Sequence, residues 1–307
     1  MARRIAVAIP ARNESAHLPS CLTALAKAAC AQTRTQVHVV VLANNCDDDT
    51  VATAREVDIG SALRLTVIER TLPPPLAHAG FARRQALDAA ADQLSDPGDL
   101  LLSTDADTVV CQDWFTRTCA YFDQGYDAVA GLARLRPREL RALPHALRRR
   151  FADLRRYDQA IGYLRASRDV NEPWPRHFYE GGASMALTLA AYRGIGGAPT
   201  PCVGEDKALF EAVRGIDGRV RHPLDVRVLT SPRLDGRAPG GTSDTLAAWG
   251  RLADDEIIDD VKAIAESLDL KAAGHHQLTF RTLSAEVERA RQLVRIARQS
   301  RDLAEAS

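Results

Sequence analysis

Residues 99–107 read Asp99-Leu100-Leu101-Leu102-Ser103-Thr104-Asp105-Ala106-Asp107: a short apolar run that ends in two carboxylates. Asp99 to Ser103 is expected to form a buried strand, because its apolar residues follow one another without a polar face. Alternation carried through the strand exit puts residues 105 and 107 on one side. Like charges so placed repel unless a cation stands near them. Hard divalent ions with oxygen ligands fill that role, and they commonly bridge a protein carboxylate to substrate phosphates. The plainer reading of Asp-x-Asp is a turn or a cap.

Outward from this strand the chain alternates. Arg4 to Ile9, Val37 to Leu42, Leu63 to Glu69 and Ala128 to Leu132 read as strands. Ser15 to Cys30 (with Ser15 as N-cap), Asp48 to Val57, Phe81 to Leu94 and Trp114 to Phe122 read as helices. Such alternation predicts an α/β fold with a mostly parallel sheet and right-handed crossovers. Arg138 to Arg165 reads as one long or broken helix, Ala183 to Leu187 and Val220 to Thr230 as strands, and Glu205 to Arg214 as a helix. From Thr242 the chain reads as helices, ending in an amphipathic one at Ser284 to Ala304.

Composition narrows the function. The 307 residues are 46% hydrophobic and 26% charged, which suits a folded protein. Forty basic residues balance forty acidic ones, so the electrostatic footprint of a nucleic-acid binder is missing. No apolar run approaches the roughly 20 residues of a membrane span, and MARRIAVAIPARNES lacks the long apolar core of a signal peptide. A cytoplasmic protein is expected. Six cysteines without CxxC spacing are expected to be free thiols. Nine arginines between Arg134 and Arg156 suit an anionic acceptor, peripheral contact with an anionic membrane surface, or a solvated face offset by nearby acids.

Ligands of open parallel sheets bind beyond the carboxyl ends of the strands. There the first strand runs into Pro10-Ala11-Arg12-Asn13-Glu14, which is either a helix cap or a contact to base or ribose. The second runs into Asn44 and Asn45, amides able to read a base edge, and then Asp47 and Asp48, read as caps. Glu205-Asp206 opens a helix. The pair either complements the helix dipole or supplies a general base. Gly181-Gly182-Ala183-Ser184 is either a turn or a close backbone approach to a sugar. His222 follows a strand and is a candidate for a metal shell or diphosphate contact, against a structural role. Arg233 and Arg237 are candidates for a phosphate clamp, against exposed charge. Trp174 and His177, with Arg176 and Tyr179, suit an acceptor pocket or a core.

In order along the chain stand IPARNE, LANNCDDDT, GFARRQA, STDADT, GGASMAL with AYRGIGG, and GED. In these pieces the sequence resembles the family 2 glycosyltransferases over about residues 4 to 235. The resemblance implies a GT-A fold at 1–240, with a nucleotide-binding half at 1–132 and an acceptor-binding half at 133–240. A helical C-terminal extension at 241–307 carries no family motif. It implies a nucleoside-diphosphate-sugar donor, a divalent cation (Mn2+ or Mg2+) and a hydroxyl acceptor whose identity the motifs do not reveal. Pro10, Ala11 and Glu14 match the first nucleotide loop, and Arg83 the arginine that approaches base and phosphates. Asn44 falls where the family often has an aspartate on the uracil, and that departure leaves the base open: the family favours a UDP-sugar, with a GDP-sugar as the alternative. Asp107 matches the direct metal ligand, and Asp105 a place nearer the ribose or a metal-bound water. Asp206 matches the general base of an inverting transfer, with Glu205 beside it. The alternatives are a nucleotidyltransferase, for which no lysine precedes Lys27 near the first loop, and a non-catalytic nucleotide-sugar-binding protein.

Overall fold

The computed structural model describes residues 3–32, 35–166, 172, 174–237, 239–258, 261 and 277–305. The chain divides into two compact units. One comprises Met1–Arg136, Tyr179–Ser231 and Gly236–Gly241. The other comprises Pro137–Phe178, Pro232–Asp235 and Thr242–Ser307. This division differs from boundaries at 132 and 240, since residues 137–178 go with the C-terminal helices.

The first unit is built on a seven-stranded sheet of order β3-β2-β1-β4-β8-β6-β9. Its strands are β1 (Ile5–Ala11), β2 (Val37–Asn44), β3 (Leu63–Arg70), β4 (Leu100–Ser103), β6 (Ala128–Ala130), β8 (Met185–Thr188) and β9 (Val220–Arg221). The first four run parallel, with Ile5 opposite Val37 and Leu100. β8 runs antiparallel to both β4 and β6, so the sheet is mixed there. A smaller sheet of order β5-β10-β7 joins β5 (Thr108–Val110), β10 (Arg227–Thr230) and β7 (Leu132–Leu135).

Strand alternation sorts the core onto two faces. Ile5, Val7 and Ile9 of β1 pack with Leu18, Leu22 and Leu25 of α1 (Leu18–Cys30). Ala6 and Ala8 of the same strand face Ala82, Ala86 and Ala90 of α3 (Ala79–Ala91). Small residues on both partners let α3 lie close to the sheet. Each buried leucine, isoleucine or valine on these faces contributes about 1.5–3 kcal/mol. The remaining helices of this unit are α2 (Thr50–Glu56), α4 (Trp114–Phe122), α7 (Leu189–Gly194) and α8 (Glu205–Gly215).

Several sequence expectations need correction. Ser15 is not the N-cap of α1: the helix starts at Leu18 after a turn, with Pro19 in its first turn and His17 at the cap position. The run Ala128 to Leu132 is two strands, β6 and β7, in different sheets. They part at Gly131, where a Cβ would lie 2.1 Å from the Ser184 hydroxyl. Val220 to Thr230 likewise divides into β9 and β10. The strand expected at Ala183 starts at Met185, and α7 and β5 were not anticipated.

The second unit is helical, with α5 (Pro137–Ala142), α6 (His145–Ala166), α9 (Thr242–Arg251) and α10 (Phe280–Glu305). Leu154, Tyr157, Ile161 and Leu164 of α6 pack with Leu283, Val287 and Ala290 of α10. Part of the arginine-rich stretch is offset by acids here: Arg150 lies 2.6 Å from Asp254, and Arg156 2.7 Å from Asp153. The sequence also carries an acidic run, Asp254-Asp255-Glu256-Ile257-Ile258-Asp259-Asp260, of which Asp259 and Asp260 lie outside the described residues. No described helix is long and apolar enough to cross a membrane.

Candidate active site

The ends of β1 and β2 are laced together. Pro10 and Ala11 stay within β1, and Asn13 turns the chain with a left-handed φ of 56°. Its amide donates to Cys46 Sγ at 3.5 Å, and its Oδ1 accepts from the Asp47 amide at 3.0 Å. Glu14 is buried, and its backbone donates to Thr50 Oγ1 at 2.8 Å. Asp48 accepts from the Ser15 and Thr50 amides at 3.1 and 3.0 Å. Burial pushes its carboxyl up, but the hydrogen bonds from Thr50 and Ser15 outweigh this and bring it down to about 2. Asp48 therefore joins two loops, and the cap position of α2 belongs to Asp49.

Asn44 closes β2 and is 4% exposed, its Nδ2 donating to Asn45 Oδ1 at 3.4 Å. Asn45 sits at φ 49° and grips the Leu72 backbone, donating to its carbonyl at 2.9 Å and accepting from its amide at 3.1 Å. That grip assigns Asn45 to holding the loop. Arg237 Nε reaches the Asn13 carbonyl at 3.4 Å.

β4 ends at Ser103, so strand alternation does not extend to the two aspartates. Instead the Thr108 amide donates to the Asp105 carbonyl at 3.0 Å and closes a turn. Asp107 is 8% exposed and accepts from the Thr230 hydroxyl at 3.2 Å, while its carbonyl accepts from Arg136 Nη2 at 2.6 Å. Thr230 and Arg136 lie on or next to the smaller sheet. No local signal marked them, because their closeness to Asp107 is a product of strand pairing. Beneath the turn, burial and then the charges of Asp107 and Asp105 hold the Cys21 thiol above its ordinary range.

Glu205 and Asp206 open α8 behind Gly204, whose φ of 77° suits glycine. Asp206 Oδ2 accepts from the Gly182 amide at 3.1 Å, and Oδ1 from the Lys207 amide at 2.7 Å. Burial, then the neighbouring Glu205, raises the Asp206 carboxyl above the usual carboxylate range. Arg83, 6% exposed, joins the two acidic groups. It donates to Asp105 Oδ1 at 2.7 Å and to Glu205 Oε1 at 3.2 Å. Burial alone would weaken its charge, but Asp105 and Glu205 outweigh that and raise its pKa. Ala183 is buried, and its carbonyl accepts from the Thr104 hydroxyl at 2.7 Å.

Other candidates have partners of their own. His222 is paired through Nε2 with Glu180 Oε1 at 3.0 Å, and Arg214 also bonds Glu180. Burial favours a neutral Glu180, but the hydrogen bonds from His222 and Arg214 hold its carboxyl below the ordinary value. The structure thus supplies His222 with a carboxylate partner. Among the described residues no group of three or more His, Cys, Asp or Glu gathers as a metal cluster. Trp174 and His177 belong to the helical unit, where Trp174 meets the Tyr163 ring edge-on at 4.8 Å and His177 is buried. Arg176 there pairs with Glu172 and covers the Phe178 ring at 4.5 Å. Arg233 also falls in that unit, whereas Arg237 falls in the first.

A sheet of parallel strands with acidic groups at its carboxyl end, joined by an antiparallel β8, is the architecture of the GT-A glycosyltransferases. The chain belongs to glycosyltransferase family 2: the family model described as "Glycosyltransferase like family 2" matches residues 2–220. Among solved structures it is similar to the mannosyltransferase PcManGT from Pyrobaculum calidifontis, in complex with GDP-Man and Mn2+. That match is 18% identical, covers 99% of this chain and 79% of that one, and has a TM-score of 0.51. It is also similar to S. aureus TarS 1-349 in complex with UDP-GlcNAc, at 15% identity, covering 94% of this chain and 72% of that one, with a TM-score of 0.50. Among curated proteins no sequence matches it.

Proposed function

We propose that the chain is a metal-dependent, inverting glycosyltransferase that uses a nucleoside-diphosphate-sugar, with Asp206 as general base. One observation carries this reading. Asp105 and Glu205 meet on one buried arginine at the carboxyl end of β4, and Asp206 stands beside them with a raised pKa. A base needs a pKa near its working pH, and burial among acids is the usual way to raise a carboxylate. The complexes of PcManGT with GDP-Man and Mn2+ and of TarS with UDP-GlcNAc support a donor of the same class.

The residues fit a divalent cation. Mg2+ and Mn2+ need only one or two carboxylates when substrate phosphates complete the shell. Asp107 supplies a nearly buried oxygen donor, and the Asp105 side chain remains 35% exposed. A cation held by Asp107 and Asp105 would neutralise charge on the diphosphate. Asp206 takes the proton of the acceptor hydroxyl as that oxygen bonds to the anomeric carbon. The bond to the diphosphate breaks on the opposite face, and the diphosphate leaves with the electron pair. Pro10, Ala11, Glu14 and Asn44 border the base and ribose.

A thermal-shift panel tests the donor reading, using UDP, GDP, CDP and dTDP with their sugars, with and without Mn2+. A ligand at 100 times its Kd adds about 2.7 kcal/mol of stability. One nucleotide is expected to raise the melting temperature in a Mn2+-dependent way, and Asp107→Asn to remove the metal-dependent part. A panel without any shift overturns the donor reading.

A further inference from the structure

We propose that Arg83 is a positioning residue for Asp206. Its side chain is spent on protein. Nε donates to Glu205 Oε1 at 3.2 Å, Nη2 to Asp105 Oδ1 at 2.7 Å, and Nη1 to both Ser103 Oγ at 3.0 Å and the Gly182 carbonyl at 3.2 Å. A guanidinium carries five N–H groups in a rigid fork, and four are used here. The slot is cut to its shape: a Cβ on Gly182 would lie 2.1 Å from Nη2.

Two routes lead from this fork to Asp206. One is Glu205, its neighbour in the first turn of α8. The other is Gly182, which accepts from Arg83 at its carbonyl and donates from its amide to Asp206 Oδ2 at 3.1 Å. One guanidinium therefore sets both the backbone donor that holds the base and the acid next to it. The charges acting on Asp206 are Glu205 on its own helix, Asp105 from the β4 exit, and Arg83 from α3. Arg83 is the cation among them, so its loss leaves Asp206 facing two acids.

This inference rests on Asp206 as the base, yet its test does not need turnover. The Asp206 carboxyl is followed by 13C NMR against pH, its signal assigned by its absence in Asp206→Asn. Arg83→Gln is expected to raise the Asp206 midpoint by about 0.5 pH unit or more. Arg83→Lys keeps the charge but cannot bridge both carboxylates, so a smaller rise is expected, and it serves if the glutamine variant does not fold. An unmoved midpoint in the variants that fold overturns the proposal. If Asp206→Asn retains turnover while the midpoint moves as stated, the base assignment fails and the placement by Arg83 stands.

Discussion

Replacing Gly182 by alanine puts a methyl group where the Arg83 guanidinium lies. The new Cβ would sit 2.1 Å from Nη2, 2.6 Å from Cζ and 3.1 Å from Nη1. Ordinary contact begins near 3.4 Å, so the guanidinium has to retreat by about 1.3 Å. A retreat of that size breaks the 2.7 Å bond to Asp105 or the 3.2 Å bond to Glu205. Overpacking of this kind costs about 1–3 kcal/mol. The Asp105 side chain is 35% exposed, so water recovers part of the lost pairing, and the expected total is about 2–3 kcal/mol. At about 2–4 °C per kcal/mol, the melting temperature should fall by about 5 °C or more. Gly181 is the internal control. A Cβ there meets nothing closer than Asp206 Oδ2 at 4.0 Å, so Gly181→Ala should stay within about 0.5 kcal/mol of the parent. Thermal melts of both variants decide the matter. A Gly182→Ala protein that melts within a degree of the parent, or a Gly181→Ala protein that falls as far, refutes the reasoning.

Asn45→Ala should destabilise the protein by about 2 kcal/mol, because the buried Leu72 backbone loses both partners and alanine disfavours φ 49°. Asn45→Gly should recover only the backbone part, which denaturation midpoints of the two variants can separate. With Asp206 as the proposed base, its raised carboxyl is expected to set the acid limb of the rate. Activity should fall as pH drops through its folded pKa, and nucleotide release against pH should show Glu205→Gln moving that limb downward. The stability sign is opposite: a folded pKa above the unfolded one means that Asp206 contributes stability at low pH, which is lost as pH rises through the folded value.

What the sequence disclosed follows from where the information lies. β2 and β4 are legible because runs such as Val39 to Leu42 and Leu100 to Leu102 are buried on both faces and have no other explanation. Asp105, Glu205 and Asp206 are legible because strand exits and helix starts are local events. The break at Gly131 is not, since it depends on the Ser184 hydroxyl far along the chain. Thr230 and Arg136 were missed for the same reason: β-pairing across the smaller sheet brings them to Asp107. Ser15 has the chemistry of a cap, but its amide is drawn to Asp48 and the helix starts later. His222 shows the converse. The sequence singles out His222 from its place after a strand, but its partner Glu180 stands 42 positions away and is set by the fold.

The central claim is that Asp206 removes the acceptor proton and does not hold the donor. The most direct measurement compares Asp206→Asn with the parent in two assays on one preparation: nucleotide release from UDP- and GDP-sugars with Mn2+, and calorimetric binding of the free nucleotide. The account predicts a loss of turnover of a hundredfold or more, with nucleotide affinity within a few-fold of the parent. Turnover close to that of the parent, or a loss explained by failed nucleotide binding, would contradict it.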